Sequence, residues 1–525
     1  MPLSLKIPAL SEKPLLIAET RAPKLFEFVE KLPLSNPLQA AATLLDEMEI
    51  LNRQKIAPDA RIRALEIYRP ALLRISEMLA TYYAAATLPL PTQAKEYAAV
   101  AESLWLELGY GYKLALIDQQ GKLFTLGGSK TNALILQRAI ESLGKLAMVY
   151  YQTYVTPPGS LWQDLHQLYA HAAQESLLEV EIEQDNYRKT SINLTYKQAL
   201  LMSLADPQHL PASDIQLVAD YIERCAGHTE LKGLGVLENP AGVFVVRLNS
   251  EQAPIPYAKN AKETDPKHDI LLITVDLARL IHKHIKLLQA GEPPAKHGLP
   301  EHAGEARYLD MLMYLIKHWG MTPKRVFSRS RKQDNVELAS GVTAAHYFLN
   351  DQKPYEEPES FSNITEITSH ASTGSTKPQY FRASRWQVLN ISAGGMALKK
   401  FPISEATLRV GEILGVKAAN DTAWSLAVLR WASNDDQQLA IGTQLIAPSA
   451  KPIAIKSPKQ DQFEPALLLP DMPTLKQAAS IIAGCGSYGP ARVLEVDQAG
   501  KISKILLTKL IDRTGSFERF QFSYL

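Results

Sequence analysis

Two short runs of polar residues carry the chemistry that this chain offers. The first is K-R-V-F-S-R-S-R at 324–331, which sets Arg325 and Arg329 four apart with Arg331 just beyond. The second is N-I-S-A-G-G at 390–395, which supplies Asn390, Ser392, Gly394 and Gly395. An arginine's planar fork donates two parallel hydrogen bonds to O6 and N7 of guanine, or to phosphate oxygens, and its flat face stacks on a base. Asn390 offers an amide and Ser392 a hydroxyl. Glycines let backbone approach a ligand and leave N–H groups free to face an anion. Together these groups suit a compact ligand carrying guanine and phosphodiester groups.

The elements around these runs must hold them in place. The segment V-E-L-A-S-G-V-T-A-A-H-Y-F at 336–348 reads as a strand that follows the arginines. W-Q-V-L precedes Asn390 and M-A-L follows Gly395, so the second run reads as a turn between two strands. L-R-V-G-E-I-L-G-V-K-A alternates imperfectly through Val410, Ile413 and Val416, as a bulged strand would. T-A-W-S-L-A-V-L-R-W places Trp424, Leu426 and Val428 on one face, and L-A-I-G-T-Q-L-I places Leu439, Ile441, Thr443 and Leu445 on one face. With S-N-D-D-Q-Q as the turn between them, they form a hairpin suited to closing a small antiparallel barrel.

Each run is short. Their order and the strand series after them make a pattern: R-x-x-x-R, a strand, N-x-S-x-x-G, then V-G-E-x-L and a W-x-L-x-V-x-R-W strand. The pattern resembles a PilZ domain. That resemblance implies a six-stranded barrel that binds the bacterial second messenger cyclic di-GMP. It implies that Arg325 and Arg329, with Arg331 close by, clamp guanines and phosphates of the ligand, often an intercalated dimer. It implies that Asn390, Ser392, Gly394 and Gly395 hold its other side. The match covers about 320–450. The gap between Arg329 and Asn390 is longer than the family's usual spacing, and the excess falls in the Ser/Thr/Pro/Glu-rich stretch 351–380, read as an inserted surface loop. Arg382 and Arg385 lie just before the second run and compete for the ligand role; the first pair is preferred, because it stands where a linker meets the first strand.

The 525-residue chain is long enough for about three domains. Hydrophobic residues make up 46% and charged residues 21%, the balance of a globular protein. Lys+Arg 56 against Asp+Glu 55 leaves no global basic field for DNA or an anionic membrane, so an anion site must be local. The two cysteines, Cys225 and Cys485, are far apart, which suits a reducing compartment. The N-terminus lacks the basic and apolar regions of a secretory leader, and no stretch of 18 apolar residues suggests a membrane span. A cytoplasmic location is expected.

Before Thr322 the texture is helical. Asn36 and Pro37 read as the cap and first residue of a helix over 36–52, and a second helix follows Pro58-Asp59 with a kink at Pro70. Further helical patterns lie near 93–118, 130–155, 160–180 and 195–226. Two strands or a small sheet are expected within 240–275, then helices near 276–290 and 303–319. Residues 448–465 read as a linker. Beyond it, a small α/β module with a short helix near 475–482 is expected at 466–525, packed on the barrel.

Other signals are weaker. His282 and His284, at i and i+2 of a helix, face different sides and cannot form the usual helical metal pair; both read as solvent-facing. His297 and His302 lack a carboxylate–cysteine set. Cys485 matches no nucleophile or zinc motif, and no Walker loop, G-x-S-x-G elbow or H-E-x-x-H is present. Asp435-Asp436 reads as a soluble turn.

The reading is an α+β multidomain protein. A large mainly α-helical region, 1–320, with a small β element near 240–275, leads into a PilZ-like antiparallel β-barrel, 321–450, and a small C-terminal β-rich module. It is expected to be a non-enzymatic cyclic di-GMP receptor without cofactor or metal, in which ligand changes the arrangement between helical region and barrel and so signals to a protein partner. The resemblance implies outputs in motility, adhesion or polysaccharide production. The alternative is an interaction scaffold whose degenerate barrel binds no nucleotide.

Overall fold

The computed structural model describes the chain except residues 1–2, 121–127, 185–187, 236, 238, 258–262, 321–329, 332–333, 357–380, 403–404, 420, 436–437, 459 and 472–476. The chain divides into two compact units, one of Met1–Ala86 and Leu90–Lys324, the other of Thr87–Pro89 and Arg325–Leu525.

The first unit is built mainly from helices: α1 (Ala22–Glu30), α2 (Pro37–Asn52), α3 (Pro58–Tyr83), α4 (Thr92–Gln120), α5 (Gly128–Gln152) and α6 (Gly159–Gln174). Asn36 caps α2 by accepting from the Gln39 N–H at 3.3 Å. Pro70 lies inside α3, which continues through it. After a short hairpin of β1 (Ile182–Glu183) and β2 (Lys189–Thr190), the pattern expected over 195–226 is two helices, α7 (Ile192–Leu204) and α8 (Ala212–Cys225). Asp206, at φ +52°, with Pro207 and Pro211 breaks the run. A four-stranded sheet in the order β3 (Glu230–Gly233), β6 (Asp269–Ile273), β4 (Val243–Arg247), β5 (Ile255–Pro256) follows, with α9 (Val275–Gln289) and α10 (Ala306–Gly320) after it. His282 is exposed as expected, but His284 is buried and its Nδ1 lies 3.0 Å from the Tyr221 hydroxyl. Its partner is a tyrosine 63 residues away in sequence, invisible to a helical-wheel argument.

The second unit holds two closed six-stranded barrels. The first runs β10-β11-β12-β9-β8-β7, from β7 (Asn335–Ser340), β8 (Ser384–Ser392), β9 (Gly395–Lys400), β10 (Ile413–Ala418), β11 (Ser425–Asp435) and β12 (Gln438–Ala447). The expected strand over 336–348 is only half strand. Gly341, at φ +90°, turns the chain into α11 (Val342–Leu349). Apolar runs of this length do not distinguish strand from helix by periodicity. Ala345 of α11 packs into a core with Ile413, Leu426 and Val428 of the first barrel and Leu467, Leu469, Ile482 and Phe517 of the second. This shared core explains why β10 and the start of β11 do not alternate: both of their faces are covered.

The second barrel runs β13-β14-β15-β18-β17-β16, from β13 (Lys451–Lys456), β14 (Glu464–Leu469), β15 (Ser480–Ala483), β16 (Val493–Gln498), β17 (Lys501–Arg513) and β18 (Glu518–Tyr524). Two expectations are corrected. The stretch read as a linker contains β13, so the module begins at Lys451 and not at 466. The end of the segment read as a helix near 475–482 is β15, all four residues of which are buried and paired with β14 and β18. Pro452 and the lysines suggested a linker, and Ala, Lys and Gln suggested a helix; ladder pairing on both sides overrides such local preferences.

Candidate functional site

The hairpin of β8 and β9 presents the second run. Asn390 is opposite Ala397, Ile391 opposite Met396 and Ser392 opposite Gly395, so Ala393 and Gly394 form a two-residue turn. The Ser392 hydroxyl donates to the Gly395 carbonyl at 3.1 Å, and the Gly394 carbonyl accepts from the Leu445 N–H at 3.0 Å. Gly395 has a structural reason to be glycine. Its φ is +151°, and a Cβ there would lie 1.9 Å from the Thr443 carbonyl oxygen of the neighbouring strand β12.

Ser330, which directly follows Arg329 in the chain, lies beside this hairpin. Ser330 and Ile391 form an isolated antiparallel bridge, so Ser330 lies against the strand that carries Asn390 and Ser392. Arg331, next to the bridge, is exposed. Arg325 and Arg329 lie outside the described residues; Arg329 is the chain neighbour of Ser330. Arg382 and Arg385 are both exposed. Arg385 sits opposite Glu337 on β7. It is five residues upstream of Asn390, roughly 17 Å along an extended strand.

Two neighbours of the turn escaped the sequence pattern. Leu389 occupies a register shift between Val388 and Asn390 and is 40% exposed. Leu445, expected on the inner face with Leu439, Ile441 and Thr443, is also 40% exposed. The ladder slips between Leu426 and Ala427, pairing them with Ala447 and Leu445, so Ile446 is the extra residue and the inward position passes to Ala447. Both leucines offer apolar surface beside the turn, of the kind on which a base packs. Strand β9 ends on Lys399 and Lys400; burial lowers the Lys400 ammonium's affinity for its proton, and its Nζ donates to the Phe401 carbonyl at 3.1 Å.

Among the described residues, no group of three or more His, Cys, Asp or Glu side chains is placed to hold a metal ion, and no helix is long and apolar enough to cross a membrane.

Comparison with known proteins covers nearly the whole chain. The family model for the N-terminal domain of the cyclic-di-GMP receptor FimW matches residues 23–236. The model for its middle PilZ domain matches 243–369 and 355–452, two stretches that overlap over 355–369. The model for its C-terminal β-barrel domain matches 450–525. The chain is 25% identical to the cyclic-di-GMP receptor FimW of Pseudomonas aeruginosa, across 99% of this chain and 93% of that protein. A helical region, a barrel with the N-x-S-x-x-G turn on its β8–β9 hairpin and a second barrel, matched in that order, show that the chain belongs to the PilZ-domain proteins with a helical N-terminal region.

Proposed function

We propose that this chain is a receptor for cyclic di-GMP, with Arg325, Arg329, Arg331, Asn390, Ser392, Gly394 and Gly395 as its ligand-binding residues. One observation carries the assignment of the site. The Ser330–Ile391 bridge sets Ser330, the chain neighbour of Arg329 and Arg331, against the middle of the N-x-S-x-x-G run, which supports the reading. The near full-length likeness to a protein named as a cyclic-di-GMP receptor supports the ligand. Arginine forks supply charge-assisted hydrogen bonds to phosphate and guanine, while the turn supplies a hydroxyl, an amide and close backbone. The reading is of a non-enzymatic protein that acts in the cytoplasm.

The signal follows from where the arginines lie. The division between the two compact units falls between residues 324 and 325, at the start of the arginine segment. Ligand that draws this segment onto the barrel shifts the population of linker conformations and so the freedom between the units. A protein partner in motility, adhesion or polysaccharide output reads that change.

Calorimetric titration with cyclic di-GMP tests the receptor reading. Micromolar or tighter binding that is lost in Arg329→Ala and Ser392→Ala supports it. Absence of heat with folded wild-type protein favours a scaffold with a degenerate barrel.

A further inference from the structure

Arg430 lies on β11 at a place where the ladder slips. Leu429 is opposite Thr443 and Trp431 opposite Gly442, so Arg430 is the extra, unpaired residue of a bulge. Bulges re-aim side chains. The missing side chain of Gly442 makes room for the Trp431 ring, which a Cβ there would meet at 1.7 Å. The Arg430 guanidinium lies on the barrel exterior, 38% exposed. Its Nε donates to the Gln444 side-chain oxygen at 2.7 Å. Gln444 is the residue in register with Gly395, and Gly395 in turn is opposite Ser392. Arg430 therefore stands two strand spacings, roughly 10 Å, from the strand that starts at Gly395.

The other contact of Arg430 comes from the second barrel. Its Nη2 donates to Asp512 Oδ2 of β17 at 3.3 Å. Asp512 also follows a register slip, between Leu510 and Asp512, which leaves Ile511 as the extra residue. Of the five N–H donors of the guanidinium, two are engaged; the other three have no partner among the described residues. The result is an arginine beside the glycine turn, with donors to spare, held at one edge by a carboxylate of the C-terminal barrel.

We propose that Arg430 is a further ligand residue of this site and that Asp512 of the second barrel competes with the ligand's phosphodiester for it. The inference rests on the receptor reading. Carboxylate and phosphodiester present the same chemistry to the fork, an anionic oxygen pair, so one substitutes for the other. The pair is about a third exposed, 38% and 32% for its two side chains, and so is screened by solvent, which makes Asp512 displaceable. The second barrel thereby sets the affinity of the first without touching the ligand.

The test is calorimetric titration of the full chain with cyclic di-GMP, for wild type, Asp512→Asn, Arg430→Ala and the double variant, with thermal unfolding of each to certify the fold. Asp512→Asn is expected to bind about three- to fivefold tighter, the scale of a surface ion pair. Arg430→Ala is expected to bind about tenfold weaker, the scale of a lost charge-assisted hydrogen bond. The double variant should match Arg430→Ala. A purely structural pair would not tighten binding when broken, so equal or weaker binding by folded Asp512→Asn overturns the role of Asp512. Wild-type affinity in Arg430→Ala overturns the role of Arg430. If Asp512→Asn loses its unfolding transition, Asp512→Ser takes its place. Heat from neither wild type nor Asp512→Asn overturns the receptor reading, and this inference with it.

Discussion

Ser330 and Ile391 exchange both of their backbone hydrogen bonds, each at 2.9 Å, although 61 positions of chain separate them. This pair holds Ser330, the chain neighbour of Arg329 and Arg331, against the middle of the N-x-S-x-x-G run. Arg329→Ala should therefore weaken cyclic di-GMP binding by about tenfold or more, and Arg331→Ala by less, because Arg331 is exposed and its pairing is screened by salt. Titrations at low and physiological ionic strength check both the order and the screening. Equal losses in the two variants would contradict the greater role of Arg329.

Gly395 is a packing position before it is a ligand position. Gly395→Ala places a methyl group into the Thr443 carbonyl at a φ that side chains avoid. The cost should be about 3 kcal/mol, from strain and overpacking together. Urea denaturation measures it. A binding loss in this variant with an unchanged denaturation midpoint would show instead that the glycine serves the ligand directly.

The two barrels should unfold as one body. Phe517 of the second barrel is fully buried in a core that also holds Ile413, Leu426 and Val428 of the first. Phe517→Ala should destabilise the second unit by about 3–5 kcal/mol, and both barrels should lose structure in the same transition. Hydrogen exchange in β7–β12 reports the first barrel. Hydrogen exchange in β16–β18 reports the second. Separate midpoints for the two signals would refute the shared core.

Stability should depend on pH in two opposite ways. Burial lowers His166, His284 and His346 to about 4. Their neutral forms are favoured by folding, so this stability is present above pH 6.5 and is lost as pH falls towards 4. Burial raises Glu412, which follows Gly411 at the start of the VGE-x-L strand, to about 7. Here the folded state holds the proton more tightly, so stability is greatest below about pH 4.5 and declines as pH rises through 7. Glu412→Gln should therefore stabilise the protein by about 1–3 kcal/mol at pH 8 and by almost nothing at pH 4.5. Urea midpoints at the two pH values decide it; an equal effect at both would remove the carboxyl from the explanation.

Much of the architecture was legible because it depends on local rules. Asn36 and Pro37 marked a helix start, the alternation through Leu439 and Ile441 marked a barrel strand, and the arginine spacing with N-I-S-A-G-G marked the barrel's type. These signals act over a few residues, through capping, side-chain period and turn chemistry, so the chain order of amino acids alone determines them. What the tertiary structure decided depends on partners far away in sequence. Leu445 lies exposed next to a ladder slip that no local pattern announces, and Gly395 must be glycine because Thr443 passes beneath it. His284 is buried because Tyr221 lies over it. Residues 451–456 are strand because β14 and β16 pair with them. Arg430 meets Asp512 only because two barrels share one core. Each of these outcomes is a contact between segments whose separation along the chain carries no local imprint, and closure of the barrels is what brings them together.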